Sequence, residues 1–209
     1  MNIHLYLFVH FYIMRKRDIE KENLVKKKAI ELIGKGGFEN FSVNKLAKAC
    51  NVSVATLYIY YQDKDDLITQ LVIEQGQKIG KAMLQDFDPD SPFEAGLRKQ
   101  WENRYRHMIA HPGNSLFFEQ LKSSVYYDKF LSAFMEDTFK PLAKFNQNII
   151  ARGEIRPMTV EVYWSVAFAP LFALIKLNNE GRGLNGKPFT VTDEMLWEAF
   201  DIVVKGMKK

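Results

Sequence analysis

The sequence predicts an all-α protein, in which an N-terminal three-helix head is followed by a C-terminal helical bundle. Apolar residues recur at the three- and four-residue spacing of one helix face through nearly every segment. No stretch keeps the alternation of apolar and polar residues long enough to predict a strand. The 209 residues are 47% hydrophobic and 26% charged, which is typical of a globular protein rather than a disordered one.

Capping residues and glycines delimit the predicted helices. Glycines follow the first helix and end it, because glycine readily takes the left-handed conformation that caps a C-terminus. Ser42, Ser53 and Asp63 can each accept a hydrogen bond from a free N–H group, and they mark three further helix starts. The predicted helices span about 18–35, 42–49, 53–60, 63–84, 92–110, 114–124, 127–151, 159–180 and 192–207.

The second and third of these helices form a helix-turn-helix pattern. They are short, and the second could lie in a DNA major groove about 12 Å wide. Asn51 occupies the turn, and asparagine is one of the few residues besides glycine that tolerates the left-handed conformation there. An apolar set can hold the two helices together: Val43, Leu46, Ala47, Val52 and Leu57.

The charge distribution is consistent with a head that binds a polyanion. From Arg15 to Lys64 the chain has eleven basic and six acidic side chains, a net charge of +5, whereas the whole chain carries +4. Lysine-rich helices can also be merely soluble, so charge alone leaves this open. The single cysteine, Cys50, excludes an internal disulfide and a multi-thiolate zinc site, and it suits a reducing cytoplasm.

The run from Phe41 to Leu67 resembles the signature of the tetracycline-repressor (TetR) family of transcriptional regulators. The pattern Val52-Ser-x-x-Thr-Leu-Tyr-x-Tyr60, followed by an aromatic residue, Lys64 and acids, carries the resemblance, which extends over about residues 18–72. It implies a DNA-binding head over 18–78 and a C-terminal ligand-binding and dimerisation domain over 79–209. The head departs from the family pattern in having Asn51 for glycine and Tyr61 for phenylalanine.

The resemblance also implies roles for individual residues. Val54, Ala55 and Thr56 would reach base edges, whereas the tyrosines and Lys64 would hold phosphates. Because the first two carry only methyl groups, they suit thymine, and DNA shape would supply further specificity. The predicted DNA-contact set is Ser42, Val43, Lys45, Ser53, Val54, Ala55, Thr56, Tyr58, Tyr60, Tyr61 and Lys64.

Residues 1–17 form an apolar and basic leader. The first fourteen lack the leading positive charge of a secretory signal and are too short to span a bilayer. The favoured interpretation is that Met14 is the natural start. The alternatives are an added helix that packs on the body or a second subunit, and a membrane anchor.

Two helices of the body predict a homodimer. Val160–Leu177 is apolar nearly all round, short of a membrane span, and the last helix also carries an apolar stripe. A single subunit offers little to cover both, so we expect a four-helix interface between two copies, as the resemblance also implies. A two-fold dimer would bind a palindromic operator on double-stranded DNA. The expected interface residues are Phe172, Met195, Ala199, Phe200 and Val203.

The aromatic-rich stretch 101–145 is where the resemblance places a pocket for a small apolar or aromatic effector. Most of these rings could instead be core. Glu102, Glu119 and His107 are candidates to contact a polar or cationic group of the ligand. The expected pocket residues are Trp101, Tyr105, Phe118, Phe134, Trp164 and Phe168.

No catalytic constellation, metal site or cofactor is predicted. His107 and His111 lie four apart, but the sequence fixes no further ligand beside them. The sequence therefore predicts a DNA-binding regulator, a repressor released from its operator by an effector, that does not act at a membrane. The alternative is a helical enzyme or carrier for a small molecule with an incidental basic head.

Overall fold

A computed structural model of the chain describes the backbone of residues 3–209 and the side chains of residues 19–209. The leader predicted at 1–17 lies outside the residues whose side chains are described. Over the described backbone the protein is helical, with isolated bridges and no strand. The helices are α1 (Ile3–Gly36), α2 (Val43–Cys50), α3 (Val54–Leu57), α4 (Lys64–Met83), α5 (Phe93–Ala110), α6 (Gly113–Lys122), α7 (Tyr127–Ala151), α8 (Val160–Glu180) and α9 (Asp193–Met207).

The predicted caps of the head are confirmed. Ser42 Oγ accepts a hydrogen bond from the Lys45 N–H at 3.2 Å, and Asp63 Oδ1 accepts one from the N–H three residues later at 2.8 Å. Helix α3 is shorter than predicted and ends at Leu57, and the N–H of Tyr60 donates to the Leu57 carbonyl three residues back, as in a turn. The residues at 58–60 form a turn instead of a further helical turn.

The chain divides into two compact units. Unit 1 comprises residues 1–71 and 116–127, and unit 2 comprises 72–115 and 128–209. The division falls inside α4, whereas the sequence placed the domain boundary at 78. The second segment of unit 1 was predicted in the body, but its Phe117 ring lies 5.9 Å from the ring of Phe38 in the loop after α1. Apolar packing on the head therefore assigns this segment to unit 1.

The core of unit 2 is built from α5, α7, α8 and α9. Trp101 is fully buried, its indole N–H donates to the Ala167 carbonyl at 2.7 Å, and its ring meets Phe200 edge-on at 5.4 Å. Among the described residues, α8 is the one helix whose length and composition would allow a membrane span. One face of α8, which includes Phe168, packs into this core, so the helix is part of a globular bundle.

Candidate DNA-binding interface

The turn between α2 and α3 has the conformation that the sequence predicted. Asn51 is left-handed, with φ 53° and ψ 47°. Its N–H donates to the Lys48 carbonyl at 3.2 Å, and the next N–H, of Val52, donates to the Ala47 carbonyl at 3.0 Å. These bonds satisfy carbonyls at the end of α2 that would otherwise lack partners. The turn therefore fixes the direction in which α3 leaves α2.

Buried apolar side chains hold the two short helices against the rest of the head. Leu46 and Leu57 are almost completely buried, and Ala47 is 3% exposed. Cys50 is also buried, and burial raises the pKa of its thiol, so the side chain serves as a small apolar group. The helix pair consequently presents one outer face to solvent.

Exposed side chains at the end of α3 form the most accessible part of that face. Tyr58 is 51% exposed and Ile59 is 76% exposed. Ala55 is also exposed, so its methyl group is free to meet another surface. Ile59 was missed by the sequence analysis, which read the segment as a longer helix with the tyrosines as its outward residues. Its exposure follows from its position after the end of α3, which the sequence pattern did not predict.

Two hydroxyl groups of the predicted contact set are engaged in capping α3. Ser53 Oγ accepts a hydrogen bond from the Thr56 N–H at 3.1 Å and lies 2.8 Å from Thr56 Oγ1. One of the two hydroxyls must donate to the other. The pair therefore offers a single free donor to a ligand rather than two.

Lys45 and Lys64 reach the loop between α1 and α2. Lys45 is exposed and its Nζ donates to the Asn40 carbonyl at 3.0 Å, while Lys64 Nζ lies 3.4 Å from the Phe38 carbonyl. Both ammonium groups are thus held at one side of the head. The remaining residues of the predicted set are half-buried at the surface: Ser42, Val43, Val54 and Tyr60.

Tyr61 corrects the predicted contact set. Its side chain is only 4% exposed and belongs to the core of the head, so it cannot reach DNA. The ring lies 6.4 Å from the ring of Tyr60. Tyr61 lies four residues after the buried Leu57 and its N–H donates to the Leu57 carbonyl at 3.1 Å, so the two side chains fall on the same buried side.

The predicted interface residues of α8 and α9 fall on two different faces. Phe200 is fully buried within unit 2, so the expectation that it contacts a second subunit is wrong, whereas Val203 is 5% exposed and borders the outer surface. Met195 is 41% exposed, and Phe172 and Ala199 are half-buried. The outer surface carries an open, largely apolar groove lined by Ser165, Val166, Ala169, Pro170, Ala173, Ile202, Val203 and Gly206.

The six residues expected to line a pocket do not share one environment. Trp101 and Phe168 are buried in the core of unit 2, whereas Trp164 is 49% exposed. Tyr105 and Phe134 are half-buried in unit 2, and Phe118 is half-buried in unit 1.

The polar candidates of the expected pocket are also scattered. Glu102 forms an ion pair with Lys99 at 3.2 Å, and Glu119 is exposed. The rings of His107 and His111 lie 4.7 Å apart. Over the part of the chain whose side chains are described, no three histidine, cysteine or acidic side chains gather as metal ligands.

Comparison with known proteins identifies the head. The sequence profile described as "Bacterial regulatory proteins, tetR family" matches residues 27–71. An HTH-type transcriptional regulator of Haemophilus influenzae is 27% identical over 99 residues, or 47% of this chain and 53% of its own length. A second HTH-type regulator, from Bacillus subtilis, is 31% identical over 44% of this chain and 32% of its own length. The chain thus spans about half or less of these curated relatives.

A solved structure extends the similarity over nearly the whole chain. The TetR family transcription regulator of Marinobacter aquaeolei is 26% identical, with a TM-score of 0.79 over 93% of this chain and 99% of the other. The profile covers α2, α3 and their turn, which are the elements that form the exposed face described above. The head thus matches the tetR family of bacterial regulatory proteins, and the chain resembles a TetR family transcription regulator in fold over nearly its whole length.

Proposed function

We propose that the protein is a homodimeric repressor that binds a palindromic operator and is released from it by a small-molecule effector. The observation that carries the DNA-binding part is the left-handed turn at Asn51, which fixes two capped helices beneath an exposed face. Release follows from mass action if the effector prefers a conformation of the dimer that does not fit the operator.

The exposed face offers apolar groups suited to bases and polar groups suited to phosphates. Ala55 and Ile59 offer apolar groups that suit the methyl group of thymine. The exposed hydroxyl of Tyr58 and the ammonium group of Lys45 suit phosphate oxygens, which position the head without reading sequence. With few hydrogen-bond donors toward bases, the head would take much of its specificity from the shape and deformability of the operator.

The outer surface of α8 and α9 supports the dimer. Val162 and Val166 on α8 are 50% and 42% exposed, and Ile202 on α9 is 67% exposed. Small residues between them leave an apolar groove. Two antiparallel copies of this surface could cover one another in a four-helix arrangement, because an isologous interface uses the same patch twice.

The DNA-binding part is tested by fluorescence anisotropy with the DNA upstream of the protein's own gene and a scrambled duplex of the same length. We expect preferential binding to the upstream duplex and a steep loss of affinity with salt. Replacing Lys45 by alanine should lower the salt slope by about one ion, whereas Lys140→Ala, an exposed lysine of α7, should not change it. Equal affinity for both duplexes would refute operator recognition and favour the enzyme or carrier alternative.

The dimer is tested by sedimentation equilibrium at micromolar concentration. We expect the wild-type chain to be a dimer and Ile202→Asp to be monomeric, because two carboxylates would be buried in an apolar interface. Leu184→Asp is the matched control, since Leu184 is 95% exposed in the loop between α8 and α9. A monomeric wild-type protein would contradict the proposal.

The sign of regulation requires a promoter fusion. A reporter gene placed behind the upstream DNA should be expressed less when the wild-type chain is supplied, and expression should recover with the Tyr58→Ala variant. Activation of the reporter by the wild-type chain would contradict a repressor.

A further inference from the structure

A row of polar side chains, two of them buried and one half-buried, lies on one face of α5 within unit 2. Gln100, Arg104 and His107 follow one another at helical spacing, so they share a face. Gln100 is 2% exposed and Arg104 is 3% exposed. Tyr163, on α8, is 7% exposed and packs against the same core. Gln100, Arg104 and Tyr163 are thus buried, whereas His107 is half-buried and only its Nε2 atom is shielded from solvent.

Arg104 is charged but forms no ion pair with the side chains that the structure describes. Its Nη1 donates to the Gln100 carbonyl at 3.1 Å, and its Cζ lies 4.1 Å from the centre of the Phe168 ring. Burial lowers the pKa of Arg104 to about 10, which still leaves the guanidinium protonated at neutral pH. A buried charge without a counter-charge is costly, so its retention requires an explanation.

The neighbouring polar groups also lack partners. Gln100 Nε2, His107 Nε2 and Tyr163 Oη are buried, and none has a hydrogen-bond partner among the described residues. Folded proteins leave few buried polar atoms without partners, and a bound water, ion or ligand is a usual partner for those that remain. The amide of Gln100 and the phenol of Tyr163 can both donate. Gln100 lies one turn before Arg104 on α5, and Tyr163 is near enough to Arg104 to interact with its charge.

We propose that Gln100, Arg104, His107 and Tyr163 bind the anionic headgroup, a carboxylate or a phosphate, of an effector whose remaining part is apolar. The proposal rests on the effector-responsive function proposed above and names the chemistry of its ligand. An anion would supply the counter-charge of Arg104 and the acceptors that the two donors lack. The Phe168 ring, which Arg104 covers, and the half-buried Tyr105 would meet the apolar part.

The proposed ligand group is negatively charged, whereas the sequence suggested a polar or positively charged group. Glu102 and Glu119 were candidates to contact a cationic group, but neither is buried. The buried charge, that of Arg104, is positive instead. A cationic ligand placed here would be repelled by Arg104 rather than bound.

Calorimetric titration of the full-length protein without DNA tests the headgroup. The probes share an eight-carbon chain and differ in charge: octanoate, octyl phosphate, 1-octanol and octylammonium. We expect at least one of the two anions to bind and the alcohol and the amine to bind about tenfold to a hundredfold more weakly, the range of a charged hydrogen bond. Octanoate and octyl phosphate distinguish a carboxylate from a phosphate ligand. Equal affinity for anion and alcohol, or no binding of either anion at millimolar concentration, would overturn the proposal.

Variants of α5 test the residues. Arg104→Met should reduce the affinity for the anion about tenfold to a hundredfold and leave the affinity for 1-octanol unchanged. Arg104→Lys should retain part of the anion binding. Arg106→Met, which removes an exposed arginine of the same helix, is the matched control and should bind like wild type. Anion binding by Arg104→Met as tight as that of wild type would overturn the assignment.

Tyr163→Phe keeps the test informative if Arg104→Met does not fold. It removes only a hydroxyl that lacks a partner, so we expect weaker anion binding without a loss of thermal stability. Unchanged anion affinity in Tyr163→Phe would exclude its hydroxyl from the site. Because the titration contains no DNA, anion binding without an effect on operator affinity would refute the proposed release mechanism and not the site.

Discussion

Replacing Asn51 tests whether the left-handed turn determines the stability of the helix-turn-helix. At φ 53° and ψ 47°, a residue with a Cβ atom is strained by about 1–2 kcal/mol unless its side chain compensates, as that of asparagine can. We expect Asn51→Ala to destabilise the head by about 1 kcal/mol relative to Asn51→Gly. In most helical positions the order is reversed, with glycine the poorer residue by about 1 kcal/mol.

The measurement is thermal unfolding followed by calorimetry, with hydrogen exchange of the α2 and α3 amides to locate the change. For a chain of this length a loss of about 1 kcal/mol lowers the Tm by about 2–4 °C. Glu136, an exposed residue of α7, provides the control position, where alanine should be more stable than glycine. If alanine equals glycine at Asn51, or exceeds it as at Glu136, the strain argument is refuted.

The same pair of variants links stability to DNA binding. The N–H groups of Asn51 and Val52 fix the direction of α3, so a strained turn should also misplace the exposed face. Operator affinity should therefore decrease in the order wild type, Asn51→Gly, Asn51→Ala. Affinity that is lower in the glycine variant than in the alanine variant would show that flexibility, and not strain, is the quantity that limits binding.

Three further predictions concern packing and charge. Gly96→Ala should lower the Tm, because the added Cβ would clash with the ring of Phe145 and destabilise unit 2 by about 1–3 kcal/mol. Gly113→Ala is the control and should not lower the Tm, because a Cβ there would meet nothing within 4 Å. Burial raises the pKa of Glu154, but its bonds to the first N–H of α5 and to a neighbouring arginine outweigh burial and lower it. Its contribution to stability is thus present above pH 4.5 and is lost as the pH falls through the lowered pKa, so Glu154→Gln should unfold with a weaker dependence on acid pH in a series of melts. Tyr126→Phe removes a 2.7 Å hydrogen bond to a carboxylate in the first turn of α4 and should destabilise unit 1 by about 1 kcal/mol in urea unfolding.

The head could be predicted well because its signals are local. Ser42, Ser53 and Asp63 act within three residues of themselves, and Asn51 adopts the conformation that its chemistry permits. The end of α3 was predicted wrongly because no glycine or proline marks it, and the turn bond from the Tyr60 N–H to the Leu57 carbonyl has no sequence signal. Tyr61 could have been assigned to the core from the sequence, because it lies four residues after Leu57 and therefore shares its buried side.

The body could be predicted only in outline, because apolar periodicity does not indicate which other helix or subunit packs on an apolar face. The stripe of α9 that contains Phe200 and Val203 is apolar, and the sequence assigned it to a second subunit. In the structure this stripe packs on α5 and α8 of the same chain, while Ile202, one position away from it, faces outward. Periodicity identifies the apolar face of a helix, but tertiary packing decides which surface covers that face.

Arg104 could be located on a helix face from the sequence, but its burial depends on tertiary packing. Arginine is rarely buried without a partner, and α5 also carries two other arginines, so composition does not single out Arg104. Its position does, because Leu97, Trp101, Arg104 and Met108 follow the four-three-four spacing of one helix face, and the first two are fully buried. A charged residue that interrupts an apolar stripe either snorkels to solvent or meets an opposite charge. Arg104 is 3% exposed and does not reach solvent, so its position in the stripe favours the proposed anionic ligand as its counter-charge.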